Sequence, residues 1–293
     1  MSSMVAFSYP KINLALDIFG VAPSGHHYIS TVFHQLSAPA DEIIIKSAPH
    51  GFLEVKCDNP RVPIGETNTV YKAADLLRKH VADKNCGAKI FIKKKIPIAS
   101  GLGGGSSNAV AALKGLAKLW GFNCHCDARR GAPKQSGLFR FLRNGRHNSA
   151  CPLRKIANQI GMDCNFFFDG GTALGEHFGE RITPLPAPPA SLFFEIIETG
   201  VPISTQWAYE NIDLKKCSMQ QGKTEKLIQA LRTGDANGII ENLHNDFEQF
   251  IFSAHPELKK KKREAEIVIA RSGRVGRVLL CGSGGVLIQI FRI

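Results

Sequence analysis

A run of small residues, Gly-Leu-Gly-Gly-Gly-Ser-Ser at positions 101–107, has the composition of a phosphate-binding loop. Glycines let the backbone approach an anion closely and adopt positive φ angles, so that successive N–H groups can point at one ligand. A helix predicted directly after the run adds its unpaired N–H groups and the positive end of its dipole. Ser106 and Ser107 add hydroxyls that suit phosphate oxygens or Mg²⁺.

The alternative is a turn in which Ser106 only caps the helix. Three consecutive glycines lose much conformational entropy on ordering, so a phosphate site is the favoured interpretation. The run is not a Walker A loop, because no lysine precedes Ser106 or Ser107. It is not a dinucleotide-binding fingerprint either, because the third glycine is missing at position 106.

Other polar residues could do chemistry but are weaker signals. Lys11 begins an alternating apolar segment, and Asp163 precedes three phenylalanines at 166–168. A carboxylate near such a stretch is partly desolvated, which raises its basicity. His26 and His27 lie in a glycine-containing loop and could contact a ligand. Residues of these types, taken singly, are more often structural than catalytic.

Alternating and helical hydrophobic patterns predict the elements that must position these residues. Strands are predicted at 11–19, 31–36, 42–46, 88–94, 172–175 and 193–198, with two more within 278–291. Helices are predicted at 67–80, 153–160, 225–232 and 235–252, and directly after the glycine-rich run, where Val110, Leu113, Leu116 and Trp120 form an apolar stripe. The segment CGSGGV at 281–286 is either a hairpin turn or a second backbone surface that faces a ligand.

The composition is that of a globular protein. The chain has 293 residues, of which 44% are hydrophobic and 21% charged, enough for one large or two medium domains. The sequence has no apolar run of about 18 residues that would predict a membrane span. Residues 1–10 lack the pattern of a secretory signal. We therefore expect a cytoplasmic protein. The net charge of +12 suits an anionic small molecule, a membrane surface or nucleic acid.

The positive charge is concentrated in one segment. Residues 128–162 contain no Asp or Glu, and Phe139 and Phe141 lie among the basic residues. An RNA-binding segment would have such a composition. A solvated insertion is the favoured interpretation.

Read in order, three segments resemble the three motifs of the GHMP kinase superfamily: YPKINLAL at 9–16, PIASGLGGGSSNA at 97–109 and LCGSGG at 280–285. Three more, GHHYISTVF at 25–33, GMDCNF at 161–166 and GGTALGE at 170–176, resemble the branch that phosphorylates 4-diphosphocytidyl-2-C-methyl-D-erythritol. The resemblance implies a two-domain α+β fold. Residues 1–170 would form a domain like domain 2 of ribosomal protein S5, with an atypical basic insertion at about 123–152, and residues 171–293 a ferredoxin-like domain shorter at its end than is usual.

The resemblance also implies roles for individual residues. Asp163 matches the catalytic base and Lys11 the lysine that pairs with it. Asn13, His26, His27 and Thr205 match positions that contact the substrate, although His26 stands where a tyrosine is usual. Asn68 lies in a segment like the one that binds adenine, and Ser107 is the expected Mg²⁺ ligand. The ATP-binding loop would consist of Pro97, Ile98, Ala99, Ser100, Gly101, Leu102, Gly103, Gly104, Gly105, Ser106, Ser107 and Asn108.

The implied function is ATP-dependent phosphorylation of the 2-hydroxyl of 4-diphosphocytidyl-2-C-methyl-D-erythritol in the non-mevalonate route to isoprenoids. The expected cofactors are ATP and Mg²⁺, and the expected partner is this small molecule rather than a membrane or nucleic acid. We expect a monomer or a homodimer. Three alternatives stay open: another GHMP kinase, of the homoserine or mevalonate-pathway type, an inactive relative that binds nucleotide, and a nucleic-acid-binding protein that uses the basic residues at 129–155.

Overall fold

The structure, a computed structural model, describes residues 2–81, 86–122, 151–217 and 222–293 of the chain. The basic insertion expected at about 123–152 therefore lies almost wholly outside the described residues, as does most of the basic segment considered for nucleic acid. Within the described ranges, no helix is long and apolar enough to cross a membrane.

The chain divides into two compact units. The first comprises Met1–Ser8, Ala40–Lys95 and Gly105–Asp169, and the second comprises Tyr9–Pro39, Ile96–Gly104 and Gly170–Ile293. This division differs from the two contiguous domains, 1–170 and 171–293, expected from the sequence. Residues 9–39 belong to the second unit because their two strands pair with strands that come much later in the chain. The predicted α+β class is confirmed.

The first unit contains a four-stranded sheet with the strand order β1-β4-β6-β5. Its strands are Ser3–Ser8 (β1), Asp41–Ser47 (β4), Leu53–Cys57 (β5) and Ala88–Lys93 (β6). Strand β6 alternates as predicted, with Ala88, Ile90 and Ile92 buried and the residues between them exposed. The helices of this unit are Thr69–Arg78 (α1), Gly104–Leu119 (α2), Pro152–Asn158 (α3) and Phe166–Asp169 (α4), with short 3₁₀ helices at Gly65–Thr67 and Met162–Asn165.

Helix α2, which follows the glycine-rich run, packs closely on this sheet. Val110, Leu113 and Leu116 of the predicted apolar stripe are fully buried. Gly115 permits the close approach, because a Cβ there would lie 2.5 Å from Cδ1 of Ile45 in β4. The helix is followed by Gly121, whose φ of +65° suits a helix C-terminus. The position of the N-terminus of α2 is therefore set by the core of the first unit.

The second unit contains two sheets. A five-stranded sheet, in the order β10-β2-β3-β7-β8, consists of His244–Asn245 (β10), Lys11–Val21 (β2), His27–Gln35 (β3), Thr172–His177 (β7) and Arg181–Leu185 (β8). A three-stranded sheet, in the order β11-β12-β9, consists of Val275–Leu280 (β11), Leu287–Arg292 (β12) and Leu192–Ile197 (β9). The helices are Thr205–Asn211 (α5), Leu214–Cys217 (α6), Lys223–Thr233 (α7), Ala236–Asn242 (α8), Phe247–Ala254 (α9) and Pro256–Arg271 (α10).

The single helix predicted at 235–252 is wrong. Helix α8 ends at Asn242, a short strand pairs in parallel with Ala15 and Leu16 of β2, and α9 begins at Phe247. The interruption brings His244, Asn245 and Asp246 into the interior, where each is less than 5% exposed. Their hydrogen-bond partners lie in β2 and around β11, far away in sequence, so the local helical pattern could not show the break.

Asp17, Thr224, His244 and Asp246 form a buried acid–histidine cluster. His244 Nε2 lies 2.8 Å from Asp17 Oδ1, and Ile18 N–H donates to Asp246 Oδ2 at 2.9 Å. Burial raises the pKa of Asp246 to about 7, and the negative charge of Asp17 adds to this effect. Burial acts to lower the pKa of His244, but the hydrogen bonds to Asp17 and to the Asn242 carbonyl, together with the negative charges of Asp17 and Asp246, outweigh it, so that this pKa is raised.

We predict that the unfolding free energy of Asp246→Asn increases relative to that of wild type as the pH rises from about 5 to 8. The unfolded chain releases this proton near pH 4, whereas the folded protein holds it up to a pKa of about 7. The contribution of Asp246 to stability therefore falls as the pH rises through this interval, and asparagine removes that dependence. Urea unfolding at several pH values should show the difference in unfolding free energy changing by about 2 kcal/mol.

The matched control is Asp213→Asn, which removes an aspartate that is half exposed and ion-paired on the surface. The unfolding free energy of this control variant should change with pH as that of wild type does. If the Asp246→Asn and wild-type profiles run parallel, Asp246 does not carry the raised pKa.

Candidate active site

The glycine-rich loop has the backbone geometry that the sequence predicted. Gly101 and Gly103 have φ angles of +77° and +68°, and Ala99 also lies in the left-handed region at +52°. The Ser100 hydroxyl donates to the Pro97 carbonyl at 2.7 Å and accepts from Leu102 N–H at 3.3 Å. Left-handed residues alternating with others turn successive N–H groups towards one side, which suits an anion. The loop then leads directly into α2, which begins at Gly104.

A hairpin turn at residues 281–284 packs directly on this loop. The N–H of Gly284 donates to the Cys281 carbonyl at 3.0 Å, and Gly282 has a φ of +52°. A Cβ on Gly101 would lie 1.8 Å from the Cys281 carbonyl oxygen, and a Cβ on Gly284 would lie 2.1 Å from the Ser100 carbonyl carbon. The segment is thus the predicted hairpin turn, and its backbone packs on the glycine-rich loop; that it also faces a ligand stays a prediction.

Lys11 and Asn13 lie beside this turn at the start of β2. They are 4% and 3% exposed, and their neighbours in the strand, Ile12 and Leu14, are apolar and fully buried. Lys11 Nζ donates to Asn13 Oδ1 at 2.8 Å, and Asn13 Nδ2 donates to the Thr31 hydroxyl at 2.7 Å. A Cβ on Gly282 would lie 3.4 Å from Lys11 Nζ. The predicted catalytic lysine therefore has a fixed position next to the turn and the glycine-rich loop.

The first unit places the predicted base beside the N-terminus of α2. Asp163 lies in the 3₁₀ helix Met162–Asn165. The preceding Gly161 packs on Ser106 of α2, since a Cβ there would lie 3.4 Å from the serine hydroxyl. The following Cys164 donates its thiol to the Ser106 carbonyl at 3.9 Å. Asp163 is therefore flanked on both sides by residues that contact the first turn of α2.

Three other residues predicted to bind ATP, Asn68, Gly105 and Asn108, make hydrogen bonds within the protein. The Ser8 hydroxyl donates to Asn108 Oδ1, and Thr69 Oγ1 donates to the Gly105 carbonyl at 2.9 Å. Asn68 caps α1: its Oδ1 accepts from Val70 N–H at 2.8 Å. A role of Asn68 in binding adenine remains a prediction.

Rings cluster around the two predicted loop histidines in the second unit. The His26 ring lies 5.1 Å from that of Phe178, and the Tyr28 ring lies 5.2 Å from the same phenylalanine. His27 lies 4.9 Å from Tyr209, and partial burial lowers its pKa. Sequence reasoning missed Phe178, because it lies about 150 residues after the histidines and no local pattern marks it.

Thr205 and Ser107 are the remaining predicted ligands. Ser283 of the hairpin turn donates its hydroxyl to the Thr205 hydroxyl at 3.1 Å, so Thr205, at the start of α5, joins the turn. Ser107 is 3% exposed in the first turns of α2. Its hydroxyl oxygen is a ligand type that Mg²⁺ accepts when phosphate oxygens and water complete the coordination.

Comparison with known proteins agrees with these features. Residues 68–130 match the family model described as GHMP kinases N terminal domain. A 4-diphosphocytidyl-2-C-methyl-D-erythritol kinase of Acetivibrio thermocellus is 31% identical over 291 residues, which cover 99% of this chain and 91% of the relative. A kinase of the same name from Clostridium perfringens strain SM101 is 31% identical, with 97% and 87% covered.

A solved structure gives the same result. The crystal structure of a 4-(cytidine 5'-diphospho)-2C-methyl-D-erythritol kinase superposes with a TM-score of 0.69 at 26% identity, covering 98% of this chain and 89% of the other. The resemblance to GHMP kinases that the motifs indicated is confirmed.

We predict that Gly101→Ala and Gly200→Ala differ strongly in their effect on nucleotide binding. The two glycines have nearly equal φ angles of +77° and +76°, so alanine introduces similar backbone strain at both. A Cβ at 101 meets the Cys281 carbonyl at 1.8 Å, whereas a Cβ at 200 has nothing within 4 Å. Gly101→Ala must therefore push the loop off the turn and should weaken ADP binding by about tenfold or more, which is roughly 1.4 kcal/mol.

Titration calorimetry with ADP measures this effect, and thermal unfolding of both variants shows whether each is folded. Gly200→Ala should lose some thermal stability and keep the wild-type affinity. Equal ADP affinities for the two variants would contradict the assignment of the loop as the nucleotide site.

Proposed function

The chain belongs to the 4-diphosphocytidyl-2-C-methyl-D-erythritol kinase family of GHMP kinases, and from this we propose that it transfers the γ-phosphoryl group of ATP to the 2-hydroxyl of 4-diphosphocytidyl-2-C-methyl-D-erythritol. The observation that carries the proposal is the packing of the Asp163 segment on Ser106, in the first turn of the helix that follows the glycine-rich loop. It supports the proposal because the residue that carries the carboxylate lies between two contacts to the first turn of α2, the helix whose N-terminus would bind phosphate. A carboxylate in that position could accept the proton of an alcohol as a general base.

The ATP phosphates would lie on the glycine-rich loop and at the N-terminus of α2. Backbone N–H groups and the helix dipole bind the phosphate oxygens without any movement during the reaction. Mg²⁺ would neutralise charge on the phosphates, with the Ser107 hydroxyl as a ligand. Phosphoryl transfer depends on such positioning and charge compensation more than on covalent chemistry by the protein.

Asp163 would act as the base and Lys11 as the charge-stabilising group. The acceptor oxygen forms a bond to the γ-phosphorus while the bond from that phosphorus to the leaving oxygen of ADP breaks, and the hydroxyl proton passes to the Asp163 carboxylate. The Lys11 ammonium, held by Asn13 Oδ1 at 2.8 Å, would stabilise the negative charge that develops. The proposal for Lys11 rests on its burial and on its place beside the turn at 281–284.

The cytosine ring of the acceptor would stack on Phe178. The 5.1 Å between the His26 and Phe178 ring centres is too short to admit a base between them. His26 is exposed on its loop, so its ring can rotate aside and let the base lie against Phe178. Asn13, His27 and Thr205 would contact other parts of the acceptor, as the resemblance implies.

We predict that the purified protein releases ADP from ATP and Mg²⁺ only when this acceptor is present, and that Asp163→Asn lowers kcat by about 10²-fold or more. Asparagine keeps the size of the side chain and removes its ability to take a proton. Coupled assay of ADP release measures kcat, and direct titration checks that the variant still binds ADP.

Asp213→Asn serves as the control for the loss of one negative charge and should keep wild-type kcat. Homoserine and mevalonate, tested as competing acceptors, separate this function from those of other GHMP kinases. A folded wild-type protein that binds ADP and phosphorylates none of these acceptors would rule out the proposed activity and favour an inactive relative.

We predict that Phe178→Ala raises the KM for the cytidyl acceptor by about tenfold, because a base–aromatic stack is worth roughly 1–3 kcal/mol. The affinity for ADP should not change, since the glycine-rich loop is untouched. Phe178→Tyr keeps the ring and should keep the KM. An unchanged KM in Phe178→Ala would show that the base binds elsewhere.

A further inference from the structure

Asn245 takes no part in the function described above, yet its side chain is fully engaged in the interior. It lies in β10 and is 4% exposed. Its Nδ2 donates to the carbonyl oxygens of Leu280 at 2.9 Å and Gly282 at 2.8 Å. Its Oδ1 accepts from Phe247 N–H at 3.0 Å. Both amide hydrogens of the side chain are thus donated to carbonyls at the end of β11 and in the hairpin turn that follows it.

The two carbonyls flank Cys281, one of the turn residues that meet the glycine-rich loop. The Cys281 carbonyl oxygen lies where a Cβ on Gly101 would come within 1.8 Å. On Gly282, the Cβ position faces Lys11 Nζ at 3.4 Å and Asn13 Oδ1 at 3.3 Å. One buried amide therefore fixes the turn that touches both the loop and the proposed catalytic lysine.

We propose that Asn245 is a positioning residue for phosphoryl transfer, which orients the turn at 281–284 against Gly101 and holds the carbonyl of Gly282, the glycine that lies beside the Lys11 ammonium. The proposal rests on the function inferred above for the loop and Lys11. A glycine peptide rotates at little steric cost, so Gly282 by itself does not hold its carbonyl in one direction. A carbonyl turned towards an ammonium group would draw it into a charge-assisted hydrogen bond.

Removing the amide should change the site and not only the stability. In Asn245→Ala, the carbonyls of Leu280 and Gly282 lose the donors that Asn245 provides in a buried environment, which favours rearrangement of the turn. The loop at Gly101 and the position of Lys11 then change together. The aromatic cluster around His26 has no hydrogen bond to Asn245, and the binding of the cytidyl group should persist.

The test compares Asn245→Ala with Thr224→Val. Thr224 is also buried and donates a hydrogen bond, to Asp17, but it makes no contact of this kind with the turn. We expect Asn245→Ala to lower kcat and to weaken ADP binding, each by about tenfold, with the KM for the cytidyl acceptor unchanged. Thr224→Val should lower the melting temperature and leave kcat and ADP affinity at wild-type values.

Asn245→Ser, which keeps one donor, is the second variant and should recover part of both kcat and ADP affinity. It is the variant to measure if Asn245→Ala does not fold. If the folded Asn245 variants lose only thermal stability, as Thr224→Val does, the residue is structural and the proposal is overturned.

Direct ADP titration separates this inference from the proposed function. A wild type that binds ADP but phosphorylates no cytidyl acceptor defeats the proposed function, and weakened ADP binding in Asn245→Ala would still support the positioning of the loop. A wild type that binds no ADP overturns both.

Discussion

The close approach of two backbone segments, the glycine-rich loop and the turn at 281–284, is the constraint on which the second unit's part of the site depends. It requires glycine on both sides: at 101, where a Cβ would meet the Cys281 carbonyl at 1.8 Å, and at 284, where it would meet the Ser100 carbonyl carbon at 2.1 Å. Lys11 N–H donates to the Leu102 carbonyl at 2.9 Å, so β2 joins the same assembly. Loop, turn and lysine are therefore held together by direct contacts.

Polar residues buried along β2 add a second requirement. A charged or amide side chain in an apolar strand is tolerated only when its hydrogen bonds are satisfied. Asn13 does this for Lys11, and Thr31 continues the chain of bonds to the Ala15 carbonyl at 2.7 Å. Further along the strand, His244 does the same for Asp17. The interruption between α8 and α9 places His244 next to Asp17.

In the first unit, α2 combines two tasks. Its N-terminus completes the glycine-rich run, and its first turn packs on Gly161 and Cys164, the neighbours of Asp163. About two turns later, Lys114 of the same helix donates to the carbonyls of Phe167 and Phe168 at 3.1 and 2.8 Å. The helix that is proposed to bind phosphate thus also anchors the segment that carries the proposed base.

The sequence by itself determined the features that depend on local chemistry. The glycine run is identifiable because few other residues tolerate its φ angles, and the stripe of α2 because it repeats with the helical period. The order of the motifs sufficed to indicate the family, and with it came the roles proposed for Lys11 and Asp163. These features required no knowledge of which distant segments meet.

The tertiary structure decided everything that depends on long-range pairing. It assigned residues 9–39 to the second unit, broke the helix expected at 235–252, and brought Phe178 to His26 and Asn245 to the turn at 281–284. In each case the partners lie far apart in the chain, and the free energy gained by satisfying a buried polar group or packing a ring exceeds the local preference of the backbone. A pattern read along the chain contains the local preference but not the identity of the distant partner.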